Sequence, residues 1–174
     1  MPILTKNEDV ANMRLNCGKL AVKLLGLTVD KPVEAVRCST ILGGVLPWDA
    51  VQTLTKYGVV AEAVVVTGNL QCKIDFLINQ IDLGHSVAIL TGLASGHWLT
   101  VLGYNRNRKE FEVVDTAKNA KRDSRGLTTY TYSQLLEAWG QQSWLQRLLS
   151  WYCSHFTWLK ERLQAESFTA VALA

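Results

Sequence analysis

The spacing of apolar residues changes along the chain, and this change constrains the fold more than any other sequence feature. Up to about residue 83, apolar side chains mostly recur every three or four positions, as on one face of a helix. From residue 86, short runs rich in β-branched and aromatic residues are separated by turn residues, as in strands. We therefore expect an α+β protein in which N-terminal helices pack on an antiparallel sheet.

Cap residues, prolines and glycines mark where the early helices begin and end. The pattern predicts helices at Cys17–Gly26, from Pro32 with Val33, Val36 and Ile41 inward, from Pro47 to Gly58, and at Leu70–Leu83. Strands are predicted at 59–66, 86–90, 97–104, 110–115, 127–131 and 168–173, and further helices at 133–139 and 142–164. With 174 residues, 48% of them hydrophobic, we expect one domain over 1–174, with helix 142–164 inserted before the last strand.

Charge and cysteine usage exclude several classes of function. A formal net charge of +3 gives no reason to expect nucleic acid as a partner. The four cysteines form no CxxC pair, so we predict neither a metal site nor a cofactor. No apolar run approaches the roughly 20 residues of a bilayer-spanning helix, so no integral membrane segment is expected. Residues 1–9 do not resemble a Sec signal, which predicts a cytoplasmic protein or one secreted by another route.

Cys17 stands at the predicted first turn of an apolar helix. The free N–H groups and partial positive charge of a helix N-terminus favour thiolate over thiol, and the thiolate is the nucleophile. The same amides can bind the oxyanion of an acyl intermediate. The structural alternative is a small buried hydrophobic residue, a common role for cysteine.

His97 and Asp115 are brought together by a predicted hairpin. His97 starts one strand and Asp115 ends the next, with a turn at 105–109 between them. In an antiparallel pair the start of one strand lies beside the end of the other. A carboxylate there can accept the second imidazole N–H and orient the base. The alternatives are a half-buried structural histidine and an Asx turn at Asp115.

Four segments add a family resemblance. NCGKLA at 16–21, GHWLTVLGY at 96–104, VVDTA at 113–117 and YTYSQLLEAW at 130–139 resemble, in order and spacing, motifs of the bacteriocin-processing peptidases, which cut after a double-glycine leader. The resemblance implies a papain-like cysteine peptidase fold with Cys17 as nucleophile, His97 as base and Asp115 as orienting group. Its closing strand is matched by 168–173.

The chain departs from that family at the oxyanion hole. The family carries a glutamine six residues before the nucleophile, where this chain has Ala11. Asn12 has the same amide chemistry and is the predicted substitute, together with the amide of Cys17. Gly18, Gly96 and Trp98 flank the catalytic positions and are the predicted substrate-binding residues.

Two further segments are candidate interaction surfaces. A basic stretch after the His strand could recruit an acidic substrate or form a solvated loop; it comprises Arg106, Arg108, Lys109, Lys118, Lys121, Arg122 and Arg125. The Trp-rich helix 142–164 could dock a partner or a second copy, or pack on the core.

The sequence thus predicts a cysteine hydrolase that acts on a protein or peptide through a thioester intermediate. Delivered into another cell, such an enzyme would act as a bacterial effector or toxin. Two alternatives stay open: a deamidase or transglutaminase-like acyl transferase with the same triad, and a papain-like binding module without catalysis.

Overall fold

A computed structural model describes residues 17–36, 44–91, 96–117, 119–141 and 168–174. These residues form an α+β structure of four helices and six strands. The helices are α1 (Cys17–Leu27), α2 (Pro47–Lys56), α3 (Leu70–Asp82) and α4 (Tyr132–Gly140). The strands are β1 (Ala61–Val65), β2 (Val87–Thr91), β3 (His97–Asn105), β4 (Glu110–Val114), β5 (Thr128–Thr131) and β6 (Thr169–Leu173).

Side chains just before the helices satisfy the free amides of their first turns. Pro47 opens α2, where its missing N–H costs nothing. The side chain of Asn69 accepts a hydrogen bond from the Cys72 N–H at 2.9 Å and so caps α3. Thr131 caps α4: Gln134 N–H donates to its hydroxyl, and the Gln134 side chain accepts from the Thr131 N–H. These local signals explain why the predicted and observed helix starts agree closely.

Within the described residues the predicted elements are confirmed with one exception, and the helix predicted at 142–164 lies outside them. All helices and strands of the described residues coincide with predicted elements to within two residues at each end. The helix predicted from Pro32 is wrong, because residues 31–36 have no regular secondary structure. There the Ala35 N–H donates to the Tyr57 hydroxyl at 3.0 Å, and Val33 is buried in the core. A segment without regular secondary structure thus buries Val33, which the helical interpretation placed inward. Ile41 lies outside the described residues.

The six strands form one antiparallel sheet in the order β1-β6-β2-β3-β4-β5. The last strand, β6, lies between β1 and β2 and makes both neighbouring pairs. The β3–β4 hairpin is confirmed, with Thr100 opposite Val114 and Asn105 opposite Glu110. Its turn places the end of β4 beside the beginning of β3.

Alternating side chains of the sheet face two separate helical layers. Ala88 and Trp98 pack with α1 and α2, whereas Val87 and Leu99 pack with α3 and α4. This period of two is the expected consequence of strand geometry. The helix that begins at Cys17 therefore lies on the face opposite α3 and α4. Among the described residues, no helix is long and apolar enough to cross a membrane.

Candidate active site

Cys17 is the first residue of α1 and is partly buried against the core. Its sulfur accepts a hydrogen bond from the Trp98 N–H, with a donor–acceptor distance of 3.5 Å, although 81 positions separate the two residues. The neighbouring residue of β3, His97, also acts electrostatically on the sulfur. The start of α1 and the start of β3 therefore meet at the sulfur.

The two ring nitrogens of His97 have different partners. Nε2 lies 2.8 Å from Oδ1 of Asp115, the geometry of a charge-assisted hydrogen bond. With Nε2 engaged there, Nδ1 is the ring nitrogen left for the Cys17 side, and the thiol and the imidazole are near enough to shift each other's pKa. The imidazole thus links the thiol to the carboxylate, in the order Cys17, His97, Asp115.

Hydrogen bonding outweighs burial at the sulfur. Burial acts to raise the pKa of Cys17, but hydrogen bonds from His97 and the Trp98 N–H, the charge of His97, and the Gly18 N–H lower it. The net effect is a Cys17 pKa below the ordinary thiol value of 9.0. A helix N-terminus and an adjacent imidazolium are two features that activate cysteine in this way.

The pKa of His97 moves in the opposite direction. Burial acts to lower it, but the hydrogen bonds with Asp115 and Cys17 and their charges raise it from 6.5 to about 9. A lowered thiol pKa beside a raised imidazole pKa describes a thiolate–imidazolium pair. Both shifts favour the form in which Cys17 is the anion and His97 the cation, the charges that a nucleophile and its acid partner need.

Asp115 is 2% exposed and has hydrogen-bond donors on both carboxylate oxygens. Oδ1 accepts from His97 and from the Ala117 N–H at 2.8 Å, and Oδ2 accepts from the Tyr130 hydroxyl at 2.6 Å. Burial acts to raise the pKa of Asp115, but these three donors and the charge of His97 lower it. The sequence left open an Asx turn or a place beside His97 for this residue, and the structure contains both contacts.

Two other side chains hold the main chain around the triad. The guanidinium of Arg122 donates to the carbonyls of Asp115 at 2.8 Å and of Ala117 at 2.6 Å. The hydroxyl of Thr91, which is completely buried, donates to the carbonyl of His97 at 2.9 Å. Arg122 thus fixes the turn that presents the carboxylate, and Thr91 fixes the backbone that presents the imidazole.

The predicted substrate-binding residues lie beside the triad, with Gly18 and Trp98 in the core. A Cβ on Gly18 would lie 2.7 Å from Cβ of Val45 and 2.9 Å from Cδ1 of Trp98, so this glycine permits close packing. The Trp98 indole is 5% exposed and donates through Nε1 to the Val45 carbonyl at 2.8 Å. Gly96 is partly exposed and has a φ of 97°, a conformation that favours glycine.

Other predicted features have different outcomes. Asn12, Ala11 and the Trp-rich segment 142–164 lie outside the described residues, so their predicted roles stay predictions. In the basic stretch, the Arg125 guanidinium pairs with Glu112 and Asp123 rather than standing free. Both Arg122 and Arg125 are therefore engaged within the protein.

Sequence reasoning missed the residues that support the triad. Tyr130 and Arg122 are 15 and seven positions from Asp115, and although they lie in the YTYSQLLEAW segment and the basic stretch, neither was predicted to contact Asp115. Thr91 pairs with His97 across two antiparallel strands. A pairing of the two strands written out residue by residue would have identified Thr91, but no sequence signal identifies the other two.

No protein-family model matches the chain, and no curated protein matches it either. The resemblance to the bacteriocin-processing peptidases, and the papain-like fold that it implies, therefore stay predictions. Within the described parts of the chain, no group of three or more His, Cys, Asp or Glu side chains could hold a metal ion.

Proposed function

We propose that the protein is a thiol hydrolase of papain-like type that cleaves a peptide or isopeptide bond. The observation that carries the proposal is that three side chains meet at the start of β3: the Trp98 N–H donates to the Cys17 sulfur, and His97 beside it is hydrogen-bonded to the buried Asp115. Each member has the charge that its role requires, because the pKa of Cys17 and Asp115 is lowered and that of His97 is raised.

The reaction proceeds through a thioester. The Cys17 thiolate attacks the carbonyl carbon, and the carbonyl π electrons move onto oxygen. The amides at the start of α1, with Asn12 as the predicted side-chain donor, stabilise this oxyanion. Collapse of the intermediate expels the amine, which takes the proton from His97.

Water completes the cycle. Neutral His97 removes a proton from a water molecule, whose oxygen attacks the thioester carbonyl. Collapse then releases the carboxylic acid and leaves the Cys17 thiolate beside the His97 imidazolium. Asp115 holds the imidazole in one orientation in both halves of the reaction and stabilises its charged form without taking its proton.

The first test is selective alkylation. Cys72 is exposed and serves as the internal reference for partly buried Cys17. We expect iodoacetamide at pH 6 to label Cys17 faster than Cys72 by roughly tenfold or more, because a thiolate and not a thiol reacts. Peptide mass spectrometry measures both rates in one sample. His97→Gln should remove the preference, whereas Tyr132→Phe, on the opposite helical layer, should keep it.

The outcome separates the proposal from its alternatives. Labelling of Cys17 no faster than Cys72 would reject an activated nucleophile and favour a non-catalytic binding module. If Cys17 is labelled selectively, the next experiment is to incubate the protein with a peptide library and to measure the masses of the products. Hydrolysis adds the mass of water across the bond, whereas an acyl transferase yields a product that contains the added amine. A product of the second kind would replace hydrolysis by transfer on the same triad.

A further inference from the structure

We propose that Tyr130 is a positioning residue of this site, whose phenol fixes the second carboxylate oxygen of Asp115 and so holds the first oxygen on His97. The inference rests on the proposed function, because it assigns a fourth member to the same triad. The hydrogen bond of Tyr130 goes to the Asp115 carboxylate and not to the Cys17 sulfur or the His97 imidazole, so Tyr130 acts through the carboxylate.

The first argument is the geometry of the carboxylate. Among the described residues, Oδ2 of Asp115 receives a hydrogen bond from Tyr130 only, at 2.6 Å, whereas Oδ1 receives two. A distance of 2.6 Å is typical of an O–H donor on an ionised acceptor. Because Asp115 is 2% exposed, bulk water has little access to replace this donor. The phenol therefore determines whether the second oxygen of a buried anion is satisfied.

The second argument is rotational. A carboxylate bound through Oδ1 alone can turn about its Cβ–Cγ bond, since that terminal torsion is soft. A donor on Oδ2 removes this freedom and leaves the plane of the carboxylate fixed against His97. The ring of Tyr130 is itself held by packing in the cluster that contains Phe111 and Leu135. The orienting group is thus oriented in turn by a side chain whose position the core determines.

Among the described residues, the titratable and charged groups that act on this pair are His97, Cys17 and Arg122. His97 on β3 faces Asp115 directly, and Cys17 on α1 lies beyond the imidazole. Arg122, on the loop between β4 and β5, acts electrostatically on Tyr130 and binds the carbonyl of Asp115. Burial and the Asp115 contact raise the pKa of Tyr130, so the phenol keeps its proton at neutral pH and remains a donor.

The test is the titration of Asp115 itself, which requires no catalysis. Removing the donor from an ionised, buried carboxylate favours the protonated form. In Tyr130→Phe we therefore expect the pKa of Asp115 to rise by about one unit, the scale of one hydrogen bond to a charged group. NMR of ¹³C-labelled aspartate carboxyl groups measures this value. The acid limb of Cys17 alkylation should move to higher pH in the same variant, because a protonated Asp115 no longer stabilises the imidazolium.

The matched control is Tyr132→Phe. Its hydroxyl is buried without a hydrogen-bond partner among the described residues, and its ring packs on Phe111 at 4.6 Å between centroids. This variant removes the same atom from a similar environment, so neither the Asp115 titration nor the alkylation limb should move. A general loss of packing would disturb both variants alike.

A second substitution at position 130 keeps the packing of the ring and should shift the pKa of Asp115 in the opposite direction. 3-Fluorotyrosine at position 130 keeps the ring and the hydroxyl but has a more acidic phenol, hence a stronger donor. It should lower the pKa of Asp115 where Tyr130→Phe raises it. An Asp115 titration that is unchanged in both variants would overturn the inference. If these shifts occur while Cys17 shows no selective labelling, the positioning role stands and the proposed function fails.

Discussion

Replacing Gly18 by alanine tests whether this glycine provides space for a substrate or for the protein's own core. Gly18 is the second residue of α1 and is buried. Its added methyl group would lie 2.7 and 3.0 Å from two carbons of Val45 and 2.9 Å from Cδ1 of Trp98. All three distances are well below ordinary carbon–carbon contact, which is about 3.5–4.0 Å. The two interpretations predict opposite signs for the change in stability.

The magnitude follows from two opposing effects. In a helix with open space at this position, glycine to alanine would stabilise the fold by up to about 1 kcal/mol, since alanine has the higher helix propensity. Forcing one methyl group into a packed core typically costs about 1–3 kcal/mol. Both Val45 and the buried indole of Trp98 would have to move, and the indole is held by its hydrogen bond to the Val45 carbonyl. We therefore expect Gly18→Ala to lower the free energy of unfolding by about 1–2 kcal/mol.

Urea unfolding of the parent and the variant measures this difference, provided that the slope m is unchanged. Gly103→Ala is the control, because the nearest atom to its added methyl group is Oε2 at the far end of the flexible Glu112 side chain, 3.0 Å away, and this exposed carboxylate can shift together with its Arg125 partner. Val45→Gly should show a favourable coupling energy with Gly18→Ala in a double-mutant cycle, since it removes both Val45 carbons, Cβ and Cγ2, that the added methyl group would meet. A Gly18→Ala protein as stable as the parent, or more stable, would refute the packing argument.

Two further predictions concern the support of the site. Thr91→Val should lower the free energy of unfolding by about 1–2 kcal/mol, because the buried His97 carbonyl loses a donor, and should slow Cys17 alkylation. Thr55→Val removes a hydroxyl on an exposed residue of α2; it should change the free energy of unfolding by less than about 0.5 kcal/mol and leave the alkylation rate of Cys17 unchanged. Equal effects of Thr91→Val and Thr55→Val would contradict the role given to Thr91. Replacing 142–167 by a linker of about four residues should leave the selective labelling of Cys17 intact, since the Phe168 N–H donates to the Trp139 carbonyl at 3.4 Å and the flanking chain ends are close. Loss of that selectivity in a folded protein would show that the segment contributes to the site.

The part of the site that sequence reasoning could reach is the part that depends on local pairing. His97 begins β3, and Asp115 directly follows the last residue of β4. The turn between these two paired strands spans only residues 106–109, so the approach of His97 to Asp115 follows from chain geometry. The approach of Cys17 to Trp98 has no such basis, because 81 positions separate them. A helix N-terminus indicates that a thiolate is favoured there, but it does not say which strand will supply the base. The resemblance to a peptidase family filled that gap in the prediction.

The helix predicted from Pro32 is wrong for a similar reason: its conformation depends on packing that the local sequence does not encode. A proline followed by Val33 and Val36 is typical of a helix start. A segment without regular secondary structure can pack the same two valines against the core, and this is what the structure shows. Gly26 makes the observed path possible, because its missing side chain lets residues 31–33 approach the end of α1. A Cβ on Gly26 would lie 2.4 Å from the carbonyl oxygen of Lys31 and 2.6 Å from Cγ2 of Val33. Such a contact between a helix and the chain after it leaves no periodic signal in the sequence.

The charge balance of the site explains why the residues missed by sequence reasoning are needed. Ionised Cys17, His97 and Asp115 carry a net charge of about −1 in a largely buried region, and burying an uncompensated charge is costly. Tyr130 and the Ala117 N–H distribute donors over the carboxylate, yet neither brings positive charge. Arg122 does, and its two hydrogen bonds to main-chain carbonyls fix the guanidinium beside the turn that begins at Asp115. Arg122 therefore brings a positive charge to the turn at Asp115 through main-chain contacts, which leave both carboxylate oxygens to His97, Ala117 and Tyr130.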